Sequence, residues 1–140
     1  MIIFHTEDIE MPAIQQEQVR EWIKAVAATY GKRVGLISYF FCSDKRILEV
    51  NLEYLQHDYY TDIITFDYCE GNKLSGDIFI SLDTVRSNAE MLHQPYEQEL
   101  HRVIIHGILH LCGINDKGPG EREIMEAEEN KALELLLSAN

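Results

Sequence analysis

Basic residues are scarce in this chain: 12 Lys and Arg stand against 24 Asp and Glu, a formal charge of −12 over 140 residues. Sequence-blind nucleic-acid binding leans on cations that neutralise phosphates, so the chain is a poor candidate for tight, non-specific RNA binding. An acidic protein can still take RNA through a local basic patch or a metal. Cysteine is also sparse, with Cys42, Cys69 and Cys112 widely spaced, odd in number and without a CxxC pair. That pattern excludes a disulfide framework and predicts reduced, mostly buried thiols of a cytoplasmic protein. No apolar run reaches the length of a transmembrane helix. Met1 to Glu7 lacks the basic start and apolar core of a signal peptide. Linkers, repeats and low-complexity segments are missing too, which leaves a single domain over 1–140, long enough to bury a real core.

The apolar periodicities predict an α+β domain: one mixed sheet of about four strands with helices packed on it. Ile2 to Phe4 is a short β-type run, and Arg33 to Cys42 reads as a largely buried strand. Between them, Pro12 opens a segment with Ile14, Val19, Trp22, Ile23, Val26 and Ala27 near helical spacing, closed by Gly31. Ser43 or Asp44 can cap a short helix running to Leu55. Thr61 to Tyr68 and Ser75 to Ser81 are strands around a turn at Glu70 to Lys73, able to pair as an antiparallel hairpin. Leu82 starts another helix, Pro95 interrupts it, and Gly118 to Gly120 precede a last amphipathic helix. The acidic residues of that helix, Glu121, Glu123, Glu126, Glu128, Glu129 and Glu134, are expected on a solvated face.

The most informative stretch is His106-Gly-Ile-Leu-His110-Leu-Cys-Gly113-Ile-Asn-Asp116. Histidines four apart share one helix face, so their rings can converge on one cation. Gly113 suits the left-handed backbone of a helix end, letting the chain double back and bring Asp116 towards the rings. Two imidazoles and a carboxylate with a fourth position open is the pattern of a catalytic zinc site at the end of a buried helix. The helix from Leu100 to Cys112 is otherwise almost wholly apolar, so its imidazoles need partners, either hydrogen bonds in the core or a metal. Cys112 points to another face, and His101, about 140° round the helix from His106, stays out of the site.

These residues resemble the signature HGxLHLxGxDH of the YbeY family, bacterial metal-dependent endoribonucleases linked to ribosomal RNA maturation. Thr61 to Phe66 resembles the family's TDVLSF strand, and Gly76 to Ser81 its GDIxIS strand. Asn51 and Tyr54 sit at the family's N-x-x-Y, so the likeness spans roughly residues 45 to 130. The resemblance implies a zinc-dependent, single-strand-specific endoribonuclease with one Zn²⁺ per chain, held by His106, His110 and Asp116. It further implies work in ribosomal RNA processing at the 16S 3′ end and in ribosome quality control. The partners would be precursor rRNA and the small subunit or its proteins, in the cytoplasm and away from membranes.

Two departures stand out. The family's third histidine is Asp116 here, and the aspartate before it is Asn115. A carboxylate binds zinc at a similar distance, cancels one unit of its charge and leans the site towards harder metals. The family's arginine after N-x-x-Y is Leu55, which cannot meet a phosphate; His57 is a candidate substitute, and Tyr60 replaces a proline. Lys117 follows Asp116 and faces either solvent or a phosphate. Thr61, Asp62, Thr65 and Asp77 are the polar candidates for a substrate cleft, although Asp77 can instead cap a turn and Asp62 lie exposed. Two other classes stay open: a ribosome-assembly factor with a structural metal, and a metallopeptidase-like hydrolase. Against the latter, Gly107 stands where HExxH proteases carry their glutamate base.

Overall fold

In the computed structural model, which describes residues 1–55 and 61–138, the central sheet has the order β1-β2-β4-β3. Its strands are β1 (Ile2–Thr6), β2 (Arg33–Cys42), β3 (Ile63–Asp67) and β4 (Lys73–Ser81). β1 and β4 both run parallel to β2, while β3 pairs antiparallel with β4 through Thr65 opposite Ile78 and Phe66 opposite Asp77. The anticipated hairpin and mixed sheet are therefore present.

Strand alternation sorts the sheet's two faces. Ile37, Tyr39 and Phe41 of β2 and Leu74, Ile78 and Ile80 of β4 point to one side and are fully buried. α1 (Gln16–Thr29), α4 (Tyr96–Leu111) and α5 (Glu121–Ser138) contribute Val19, Ile23, Ile104, Ile108, Met125 and Ala132 to the same core. Two buried hydrogen bonds tie this layer together. The Tyr39 hydroxyl donates to the Ile104 carbonyl at 2.8 Å, and Trp22 Nε1 donates to the Ala132 carbonyl at 2.7 Å. On the other side, Cys42 and Ile64 meet Ile47 and Val50 of α2 (Asp44–Val50), next to a row of half-buried rings from His5, Phe40 and Phe79.

α2 and α3 (Leu82–Met91) cap one another. Ser43 caps α2 and Ser81 caps α3, each accepting from a backbone N–H three residues on. Asp83 accepts from the Asp44 N–H at 2.9 Å, and the wholly buried Ser81 hydroxyl donates to the Asp44 carboxylate at 2.6 Å. After α2 the chain widens into a π-helical stretch, Asn51–Leu55, so the helix does extend to Leu55 but not as one α-helix.

α1 begins at Gln16 rather than at Pro12. The Ile14 N–H bonds the Pro12 carbonyl at 2.8 Å, closing a tight turn that the helix follows. The three cysteines are free thiols. Among the described residues no helix is long and apolar enough to cross a membrane.

Candidate active site

α4 carries the paired histidines in its last two turns and is pressed unusually close to the sheet. A Cβ on Gly107 would lie 3.0 Å from Ile78 Cδ1 and 3.3 Å from Ile63 Cδ1. Glycine is what permits that approach. At its end, Gly113 adopts φ +101°, the Gly113 N–H returns to the His110 carbonyl and the Ile114 N–H to that of Leu109. These are the two bonds of a Schellman cap, which turns the chain back across the helix end.

That reversal brings Asp116 to His106: Asp116 Oδ2 lies 3.3 Å from His106 Nε2. The other ring nitrogen, Nδ1, is 2.7 Å from Glu129 Oε2 of α5. Glu129 Oε1 in turn accepts from Arg102 Nη1 at 2.9 Å, one turn before His106 on α4. Burial opposes charge on the His106 ring, but the Glu129 hydrogen bond and charge, joined by Asp116 and Asp62, outweigh it and raise its pKa. Burial also raises the pKa of Asp62, against the opposing pull of His106.

Beside edge strand β3 these groups open on a cavity of about 880 Å³, towards the upper end of ordinary ligand pockets. His106, His110 and Asp116 all line it, as do Thr61, Asp62 and Thr65. Leu55 and Asn51 form part of the wall, and Lys117 and Arg122 bring cations to the rim. Neither Lys117 nor Arg122 forms an ion pair among the described residues. His57 and Tyr60 lie outside the described residues.

The facing pair His106 and Asp116 would fit zinc. Two ligands holding one tetrahedral zinc at about 2.0–2.2 Å stand about 3.3 Å apart, the separation found between His106 Nε2 and Asp116 Oδ2. His110 lines the same cavity, but no three His, Cys, Asp or Glu among the described residues are gathered around one point.

Two expectations need correction. Asp77 does not reach the cleft: it pairs with Ser38 and Phe66, whereas its neighbour Ile78 is the residue that faces α4. One step along a strand reverses the side chain's direction, so Asp77 lies on the opposite face. Glu129, expected in solvent, is buried. The sequence did carry a sign of it. Met125, Ala132 and Leu136 form the buried stripe of α5, and Glu129 occupies the stripe's missing position, four after Met125 and three before Ala132. His101, by contrast, stays away from the site as the helix geometry requires and packs edge-on against Trp22.

A family model described as Endoribonuclease YbeY matches residues 1–137. This chain belongs to the YbeY family. The match extends well beyond the three sequence blocks on which the resemblance rested. A Phocaeicola vulgatus protein named Endoribonuclease YbeY is 74% identical over 97% of this chain and 99% of its own length. A Bacteroides fragilis protein of that name is 73% identical over 96% of each chain, and a Porphyromonas gingivalis one 57% identical over 96% of this chain and 89% of its own. The fold is shared with the solution structure of TM1509 from Thermotoga maritima, with a TM-score of 0.71 and 27% identity, covering 99% of this chain and 91% of that one. Membership supports an endoribonuclease role.

Proposed function

We propose that this YbeY protein hydrolyses RNA phosphodiesters with a zinc ion held by His106, His110 and Asp116, and that it acts on single-stranded regions of precursor ribosomal RNA. The observation that carries the reading is the facing pair His106 Nε2 and Asp116 Oδ2, 3.3 Å apart in a cavity that also contains His110. Such an ion, when bound, stabilises negative charge at the phosphoryl group and acidifies water there.

The chain's own residues supply the rest. Lys117 and Arg122 on the rim are the cations available to phosphates either side of the cut, in a site where Leu55 offers none. Their flexible reach suits an unpaired strand, whose backbone can bend into the cleft beside β3. Thr61 and Thr65 line the same wall and offer hydroxyls to sugar or phosphate oxygens. The acid that surrounds them, Asp62, Glu99, Glu126 and Glu129, disfavours loosely held RNA and makes recognition depend on the cations and the metal together. The ribosomal small subunit or its proteins would then present the RNA.

The assembly-factor reading draws on that same acidity and on Leu55. A peptidase reading loses ground, because the space a glutamate would need at position 107 is filled by Ile78. The deciding experiment compares cleavage of structured ribosomal RNA by metal-loaded wild type and His110→Ala, each with and without chelator. Activity lost in both the variant and the chelated samples supports the nuclease. Absence of cleavage by metal-loaded wild type moves the case to the assembly factor.

A further inference from the structure

Glu129 is an expensive residue for the position it fills. Its side chain is only 10% exposed and lies within the apolar stripe of α5, between Met125 and Ala132. A partner for Arg102 alone could sit at the surface, where desolvating the carboxylate would cost little. Burial is explained once both oxygens are considered. Oε1 accepts from Arg102 Nη1 at 2.9 Å, and Oε2 meets His106 Nδ1 at 2.7 Å. Arg102 is itself steadied by a second bond, from Nη2 to Asn130 Oδ1 at 2.7 Å.

An ionised carboxylate only accepts hydrogen bonds, so the nitrogen facing Glu129 must carry the ring proton. In a neutral imidazole that leaves the lone pair on Nε2, the atom that looks at Asp116 Oδ2 across 3.3 Å. A cation held between two such acceptors would satisfy both.

From this geometry we infer that Glu129 is the positioning residue for His106: reaching in from the last helix, it fixes the ring's tautomer and rotation so that Nε2 is presented to the cation, with Arg102 locking Glu129 in place. The inference rests on the metal reading above. It assigns α5, otherwise a packing helix, a direct part in building the site. Partners of this kind generally change metal affinity by about 10–100-fold when removed.

The test is zinc affinity measured by competition with a chromophoric chelator for wild type, Glu129→Gln, Arg102→Met and His106→Ala. It is paired with long-range ¹⁵N–¹H spectra of the histidine side chains in zinc-loaded wild type. Glu129→Gln is expected to weaken zinc by about 10–100-fold, and Arg102→Met to weaken it in the same direction by less. The wild-type spectrum should show His106 coordinated through Nε2 with its Nδ1 proton shifted downfield by the bond to Glu129, a shift that a merely structural Glu129 would not produce. Coordination through Nδ1, or a Glu129→Gln affinity within twofold of wild type, would overturn the assignment while leaving the metal site standing. Wild-type affinity in His106→Ala would overturn the metal reading and this inference with it. Should Glu129→Gln fail to fold, the Nδ1 proton of zinc-loaded wild type carries the test, and its lying at the position of an unbonded imidazole N–H would overturn the assignment.

Discussion

Position 107 offers the sharpest test of how α4 is seated. Alanine in place of glycine in a helix interior gains about 0.8–1.0 kcal/mol of intrinsic helix stability. Here the new methyl would lie 3.0 Å from Ile78 Cδ1 and 3.3 Å from both Ile78 Cγ2 and Ile63 Cδ1, against about 3.5–4.0 Å for comfortable carbon contacts. Overpacking of that kind costs about 1–3 kcal/mol. Two of the three atoms are the ends of isoleucine side chains, which can turn, so the lower half of that range applies. The two terms nearly cancel, and Gly107→Ala should lose about 0–1 kcal/mol. Gly107→Glu has no such escape. Its carboxylate would enter a dry helix–sheet interface at a cost of several kcal/mol, and at about 3 °C per kcal/mol for a chain of this size the melting temperature should fall by about 10 °C or more. Urea and thermal melts followed by circular dichroism measure both variants. A Gly107→Ala protein more stable by the full helix-propensity gain, or a Gly107→Glu protein melting within about 2 °C of wild type, would refute the close packing of α4 on β3 and β4.

Ser81→Ala removes a buried hydroxyl that serves Asp44 and the α3 N-terminus together; urea unfolding should show a loss of about 1–2 kcal/mol. His101 has its pKa lowered, chiefly by burial against Trp22, partly offset by Glu97. The unfolded chain therefore takes up this proton first as pH falls through about 6.5, and stability contributed by neutral His101 is lost on acidification. His101→Gln should narrow the gap in urea midpoint between pH 7.5 and pH 5, and an unchanged gap would count against the burial argument. Lys117→Ala and Arg122→Ala should each raise KM for a single-stranded RNA with little change in kcat, and each should flatten the log–log salt dependence of binding by about 0.7. Equal salt slopes in wild type and both variants would remove these residues from the substrate path.

Much of this architecture was written locally in the chain. Alternation in β2 and β4, the cap at Ser43 and the glycine at 113 each act within a few residues, so they could be read without a fold. The paired histidines were legible for the same reason, because helical spacing alone puts them on one face. Asp77 was misplaced because a strand residue's direction depends on which face the helices cover, and that is decided by partners distant in sequence. Glu129 is hard to read for a related reason. Its meaning comes from His106, 23 residues away, and the acidic surroundings masked a gap in an apolar stripe that was visible on inspection. The start of α1 was displaced because Pro12 favours a helix's first turn and a tight turn alike, and the local hydrogen bond settled it for the turn.

The tie between α4 and α5 also has a temporal side. Synthesis runs from the amino towards the carboxyl end, so the histidines emerge before the carboxylate that meets them. Trp22 waits for the Ala132 carbonyl across 110 positions, and His106 waits for Glu129. A nascent chain can thus assemble its sheet while the cleft still lacks its last wall. Docking of α5 is thus the step that closes the core over Trp22 and gives His106 its carboxylate partner, so a segment more than a hundred positions from the first helix completes both.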